Sequence, residues 1–285
     1  MTRRVWLSIL GFLILGTAIV AVVVTGTTGG GADRSATLWA VGDGATGSPR
    51  ARRVARLIER GDPSRFLYLG DVYEQGTAEE FRSAYETVYG PLREVTLPTP
   101  GNHEWANRTD GYYPYWARTF GARPLDHYSV RVADWQLLSL NSEEPHEAGS
   151  RQVEWLERQV RGGGDCRIAF WHRPRFSAGA HGDQPDVEPL WQALVGRAVL
   201  VLSGHDHDMQ ELRVRDGIRV LIAGAGGNVR YPVDANDPRL AWGNDTTDGA
   251  LRVRLQPGLA RYDFVAVDGT ILRSGAVRCR LAKPS

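Results

Sequence analysis

The chain has 285 residues, 42% of them hydrophobic and 24% charged, the balance of a soluble globular protein able to bury a substantial core. A formal net charge of +1 argues against nucleic acid or a strongly acidic partner. Of the 34 basic residues all but Lys283 are arginine, which reads as codon bias and removes functional meaning from arginine counts.

Thr2-Arg3-Arg4 is followed by Val5 to Val24, a run without a single charge. Twenty helical residues span roughly 30 Å, the hydrocarbon thickness of a bilayer. Residues 1–24 therefore read as an uncleaved membrane anchor, with a cleaved signal peptide as the alternative. Arg3 and Arg4 favour a cytoplasmic N-terminus and place the chain beyond Val24 outside the membrane. TRRVWL bears a weak likeness to a twin-arginine export signal. Residues 25–35, TGTTGGGADRS, form a flexible tether, and 36–285 form the folded domain.

Apolar runs then alternate with amphipathic ones. TLWAVG (37–42) predicts a buried strand, and PRARRVARLIER (49–60) a helix with Val54, Ala55 and Ile58 inward and a solvated charged face. FLYLG (66–70) is a second strand. TAEEFRSAYETVY (77–89) is a helix whose Thr77 and Glu80 have capping-box spacing. VTLPTPG (95–101) leads from a third strand into a loop. HYSVRVADWQLLSLNS (127–142) alternates at period two with a break at Ala133-Asp134, the pattern of a hairpin. Ser150 starts a helix to residue 160, and CRIAFWH (166–172), AVLVLSG (198–204) and IRVLIAG (218–224) are further strands. LRVRL, YDFVAV and TILRS read as late antiparallel strands. Strands and helices alternating early, with hairpins late, predict a layered α/β fold with mixed sheets. Cys166 and Cys279, an even pair in an exported chain, predict a disulfide, two buried thiols being the alternative.

Five apolar runs end in polar residues. They lead to Asp43, to Asp71, to Asn102-His103, to His172, and to His205 and His207. Ligands of α/β sheets bind outside the carboxyl ends of strands, so all five can converge on one edge. Carboxylate, amide and imidazole donors in that mixture suit Zn²⁺, Mn²⁺ or iron. Glycine before Asp43, Asp71, Asn102 and His205 permits tight turns beside the site.

The ordered set GD, GD, GNHE, H and GHDH resembles the calcineurin-like metallophosphoesterases over residues 37–227, and most of all their purple acid phosphatase branch. The resemblance implies an α/β/β/α sandwich with two mixed β-sheets. It implies hydrolysis of phosphate esters at a dinuclear centre of Fe, Zn or Mn, by attack of a metal-held hydroxide. Asp43 and His207 would bind the first ion; Asn102, His172 and His205 would bind the second; Asp71 would bridge. His103 would face the substrate. Two aspartates and a hydroxide carry −3 against +4 for two divalent ions, leaving a site suited to an anion.

Two features bear on the branch. The D-x-H pattern is missing, since Gly44 and Ala45 follow Asp43. Purple acid phosphatases supply a tyrosinate three residues after the bridging aspartate, whereas here Tyr73 is two after Asp71 and Glu74 stands third. Tyr73 is a candidate ligand, Glu74 a weaker one, and a packing role for Tyr73 beside a water-filled position stays open. His181 follows His172 by nine positions, as a second histidine does in that branch, and is a candidate contact to phosphate or leaving group.

The remaining features read more plainly. His127 and His146 are expected at the surface or in packing, and Arg175 at the surface in preference to a phosphate clamp. Trp105 is a candidate pocket wall, while Trp39, Trp135, Trp155 and Trp191 suit a core. GAGGNVRY (224–231) is a candidate pocket edge, and Asp206 and Asp208 are candidate acceptors that orient imidazoles. A phosphomonoesterase is favoured over a phosphodiesterase or nuclease of the same fold, or a non-catalytic metal-binding scaffold.

Overall fold

Strand β1 (Ala36–Val41) runs parallel to β2 (Arg65–Tyr68), and β2 runs parallel to β3 (Thr96–Pro98). On the other side of β1, the antiparallel strands β11 (Gly249–Gln256), β12 (Leu259–Ala266) and β13 (Ile271–Arg278) complete a six-stranded sheet, ordered β13-β12-β11-β1-β2-β3. The second sheet has seven strands. From one edge to the other they are β10 (Leu240–Asn244), β8 (Met209–Leu212), β9 (Arg219–Ala223), β7 (Leu200–Ser203), β6 (Arg167–Phe170), β5 (Trp135–Ser139) and β4 (Tyr128–Val132). Its central strands β5, β6, β7 and β9 are parallel.

These elements come from a computed structural model that describes residues 34–162 and 166–279. The anchor expected at 1–24, and the tether at 25–35 apart from its last two residues, lie outside the described residues. Among the described residues, no helix is long and apolar enough to cross a membrane.

The apolar runs are continuous because the central strands are buried on both faces. Leu38, Ala40, Leu67 and Leu97 of the first sheet pack into one core with Leu137, Ile168, Phe170, Leu200 and Leu221 of the second. The alternate residues Trp39, Val41, Phe66 and Tyr68 face outward, onto α1 (Pro49–Arg60), α3 (Glu86–Tyr89) and α5 (Tyr112–Phe120). Beneath the second sheet, Leu138, Ala169 and Val201 meet α6 (Arg151–Gln159) and α7 (Glu188–Leu194). The layers are α/β/β/α, the expected sandwich.

Local signals act as read. Val54, Ala55 and Ile58 of α1 are buried and Ser150 caps α6, while Ser48 adds a cap to α1 that was not anticipated. Thr77 and Glu80 close a capping box on α2 (Ala78–Glu80). From there a π-helical turn, Phe81–Tyr85, leads into α3, so the expected single helix carries a bulge. Elements that were not foreseen include α5, α7, β8 and β10.

Cys166, just before β6, is bonded to Cys279, just after β13, and so ties the two sheets together. Their separation of 113 residues closes a long loop. Chain entropy assigns such a bridge about 4 to 5 kcal/mol, and removing it should lower the melting temperature by roughly 10 °C. Thermal unfolding of Cys166→Ser/Cys279→Ser, beside wild type with and without reductant, measures this. An unchanged midpoint in all three would refute the bridge.

Candidate metal centre

The carboxyl ends of β1, β2, β3, β6 and β7 converge at one edge of the sandwich. The loops there are laced across both sheets: Gly42 N donates to Ala223 O at 2.9 Å, and Asp43 N to Gly70 O at 3.0 Å. The chain pays locally for this geometry, because Asp43 (φ 60°), Asp71 (φ 72°) and His205 (φ 71°) all sit in the left-handed region. The turn expected of the preceding glycines thus falls partly on the functional residues themselves. Gly101 answers to close approach instead, since a Cβ there would lie 2.0 Å from Asp71 Oδ1. The single helical turn α4 (Asn102–Trp105) carries Asn102 and His103 in.

Two groups of donors result, and Asp71 belongs to both. In one group, Tyr73 Oη lies 3.1 Å from Asp43 Oδ1, 3.1 Å from Asp71 Oδ2 and 2.9 Å from His207 Nε2. In the other, His172 Nε2 lies 3.3 Å from Asp71 Oδ1, 3.1 Å from Asn102 Oδ1 and 3.1 Å from His205 Nδ1. Asp71, His172 and His205 each offer one donor atom, all within 4.8 Å of one another. Backbone carbonyls aim two of the rings: His172 Nδ1–H donates to Leu69 O at 2.8 Å, and His207 Nδ1–H to Val229 O at 2.6 Å. Each ring then turns Nε2 inward, the atom that would bind a metal once it carries no proton.

The electrostatics call for positive charge. Asp43 and Asp71 are buried, and neither pairs with an arginine or lysine among the described residues. Burial, countered in part by His172 and aggravated by Asp71, pushes the Asp43 carboxyl well above its usual range. Burial also opposes ionisation of Asp71, yet His172 and His103 hold it below the carboxylate range. Burial works against a charged His172, but the carboxylates, Asp71 first, lift its pKa to about 10. Burial drives His205 down to about 2 and His207 to about 4, so both are neutral donors at physiological pH. Burial, then Asp43 and Asp71, raise the Tyr73 phenol. Buried carboxylates, imidazoles and hard oxygens around a small space, with protons on Asp43 and His172 that a cation would displace, fit divalent cations.

Tyr73 stands among the donors although it is one residue short of the expected register. Val72 pairs with Ala45, and Tyr73 N donates to Ala45 O at 3.1 Å, which turns the phenol toward Asp43. The Glu74 side chain is exposed, while its carbonyl accepts from His103 Nδ1–H at 2.5 Å. His103 thereby lies edge-on to the Tyr73 ring at 4.5 Å, its Nε2 3.8 Å from Asp71. His181 stacks on His205 with centroids 4.2 Å apart. Asp71, Tyr73, Asn102, His103, His181, His205 and His207 all line a cavity of about 260 Å³.

One expectation is met on a different ring and two are corrected. Asp206 accepts from His181 N at 2.8 Å and contacts its Nδ1, so it orients His181 and neither of its neighbouring histidines. Asp208 is engaged by Gln210. Trp105 packs against Tyr113 and Arg108, outside the cavity lining. Arg175 turns to Glu188, and His127 and His146 pair with Glu144 and Asp186, so all three lie outside the cavity lining as expected, although Arg175 is half-buried and not at the surface. The GAGGNVRY loop does edge the cavity, through Asn228, Val229 and Tyr231.

Two residues were missed. Buried Glu104 accepts from Asp71 N (3.1 Å), Val72 N (3.1 Å) and Gly101 N (2.9 Å). Burial first, then Asp71, raise its pKa to about 7. The Tyr68 hydroxyl receives Ala45 N at 3.1 Å and donates to Asp71 O at 2.5 Å, pinning the first two loops together. The signal for Glu104 was its place three residues after Gly101, at capping-box spacing.

The sequence model of the calcineurin-like phosphoesterases matches residues 28–209, more than half the chain. The chain belongs to that family. This calcineurin-like phosphoesterase is accordingly a metal-dependent phosphoric ester hydrolase. No curated protein matches its sequence. Among solved structures it is similar to GAP50, the anchor in the inner membrane complex of Plasmodium: 14% identity and a TM-score of 0.71, over 87% of this chain and 90% of that one. Purple acid phosphatase PPD1 from yellow lupin seeds (Lupinus luteus) is 14% identical with a TM-score of 0.71, over 86% of this chain and 54% of the lupin chain. A dimetal phosphatase from Danio rerio is 13% identical with a TM-score of 0.59, over 85% of this chain and 98% of its own. The calcineurin-like chain spans about half the length of the lupin enzyme, and at these identities the likeness is one of fold.

Proposed function

We propose that the protein is an exported phosphomonoesterase of the purple acid phosphatase-like branch, working with two metal ions. The observation that carries this reading is Asp71, which offers Oδ2 to the group of Asp43, Tyr73 and His207 and Oδ1 to the group of Asn102, His172 and His205. When bound, the ions supply Lewis acidity and activate water at neutral pH. The protein's own residues do the rest. His103, held by the Glu74 carbonyl, and His181, held by Asp206, reach the cavity where an ester's phosphoryl oxygens and leaving group lie. Either imidazole is suited to donate a hydrogen bond or a proton to the departing oxygen. Export rests on the uncharged run from Val5 to Val24 behind Arg3 and Arg4, and the Cys166–Cys279 bridge supports an oxidising compartment. The same run supports retention at the membrane.

A second reading, a scaffold without turnover, is favoured by the likeness to a protein described as an anchor. Metal analysis with a chromogenic phosphomonoester and its diester separates the two. Two equivalents of metal and faster monoester turnover are expected, and a fully loaded protein inert toward both esters would leave only the scaffold. With ferric iron bound, wild type should show a visible tyrosinate charge-transfer band that Tyr73→Phe abolishes. A band that survives in Tyr73→Phe would remove this phenol from the ligand set.

A further inference from the structure

Arginine is absent from the cavity lining, which among the described residues carries one acidic side chain outside the proposed ligands, that of Glu74. In a chain with 33 arginines this is not for want of supply, because the loops around the cavity carry four that are engaged elsewhere. Arg108 lies over the Trp105 ring at 4.4 Å, and Arg173 pairs with Glu143 at 3.1 Å. Arg175 pairs with Glu188 and covers Phe176, while Arg230 pairs with Asp248 at 2.8 Å. The Glu74 side chain is exposed, and its carboxylate has no hydrogen-bond or ion-pair partner among the described residues. Asn228, Val229 and Tyr231 line the same cavity, and the Tyr231 ring lies stacked on His207 with centroids 4.3 Å apart.

Glu74 and Tyr231 share this cavity with Asp71, Asn102 and His205, so an ester bound at the donors would have them among the groups available to its alcohol portion. A free carboxylate beside an aromatic ring is the chemistry that receives an ammonium group, and it repels a second anion. Resting on the phosphoesterase reading above, we infer that Glu74, with Tyr231, is a specificity determinant that selects phosphate esters of cationic amino alcohols over esters whose alcohol carries a carboxylate or further phosphate. Nucleoside di- and triphosphates, which carry further phosphate, are disfavoured on the same ground.

A matched series of small monoesters tests this: ethanolamine phosphate, 2-hydroxyethyl phosphate and phosphoglycolate, whose alcohol portions carry +1, 0 and −1. Metal-loaded wild type should show kcat/KM falling in that order, by roughly three- to ten-fold for each unit of charge, the size of an exposed ion pair or cation–π contact. Glu74→Gln should flatten the series and Glu74→Arg should reverse it. Glu79→Gln, at an exposed position on α2 paired with Arg82, should leave the ratios as in wild type. A flat wild-type series, or an unchanged slope in Glu74→Gln, overturns the inference while turnover of 4-nitrophenyl phosphate keeps the phosphoesterase reading intact. Failure to turn over any of the four esters overturns both.

Discussion

Asp71→Asn is expected to empty the metal centre and lower kcat by roughly 10³-fold or more, the scale on which metal ions stabilise charge in phosphoryl transfer. The substitution keeps the size of the side chain, so packing behind it is preserved. It removes the one negative charge shared by the two donor groups and replaces an oxygen facing either Tyr73 or His172 with an NH₂ group. Added Mn²⁺ or Zn²⁺ should raise the melting temperature of wild type, since a ligand at 100 times its Kd contributes about 2.7 kcal/mol. That rise should vanish in the variant, along with bound metal by elemental analysis. A variant that retains two equivalents of metal and the wild-type thermal response would show that Asp71 is not the bridge.

Much of this was legible from residue type and order. The five strand ends were readable because each apolar run breaks abruptly at a donor, and because parallel strands must deliver their carboxyl ends to the same edge. α1 was readable from its inward stripe of Val54, Ala55 and Ile58. The missed elements lacked such marks. In α5 the run YYPYWARTF carries tyrosines, a tryptophan and a proline, a composition that favours strands and turns, and Gly111 supplies no capping side chain. In β8 two buried polar residues, Gln210 and Glu211, hide a strand within MQEL. Their burial is compensated by partners far along the chain, with Glu211 held by Arg219, Tyr262 and Arg273.

Tyr73 shows where counting positions stops being informative. Register arguments assume that a loop continues the geometry of its strand. Here Asp71 adopts a left-handed backbone, and Val72 pairs with Ala45 of the neighbouring loop, so two residues suffice to carry the phenol to Asp43. The reason lies in a contact between segments remote in sequence. Asp206 illustrates the same limit, since its carboxylate serves His181, 25 positions earlier, in place of the adjacent imidazoles.

Glu104→Gln should be the most destabilising single change near the centre that removes no proposed ligand. Its carboxylate accepts three backbone amides, from Asp71, Val72 and Gly101, and so binds the loop after β2 to the loop after β3. Glutamine has one acceptor oxygen; its NH₂ group must face an amide that can only donate. At least one buried N–H is left unsatisfied, a cost of about 1 to 3 kcal/mol. The left-handed Asp71 backbone is held by those same amides, so metal affinity should fall by roughly 10- to 100-fold, as for other residues that orient ligands. Urea unfolding of the metal-free proteins reads the first effect, and titration with Mn²⁺ or Zn²⁺ reads the second. Because Glu104 touches no substrate, saturating metal should restore most of kcat, which separates a positioning role from a catalytic one. A variant with wild-type stability and metal affinity would mean that the two loops are held by their own backbone geometry, and that the Glu104 carboxylate is dispensable.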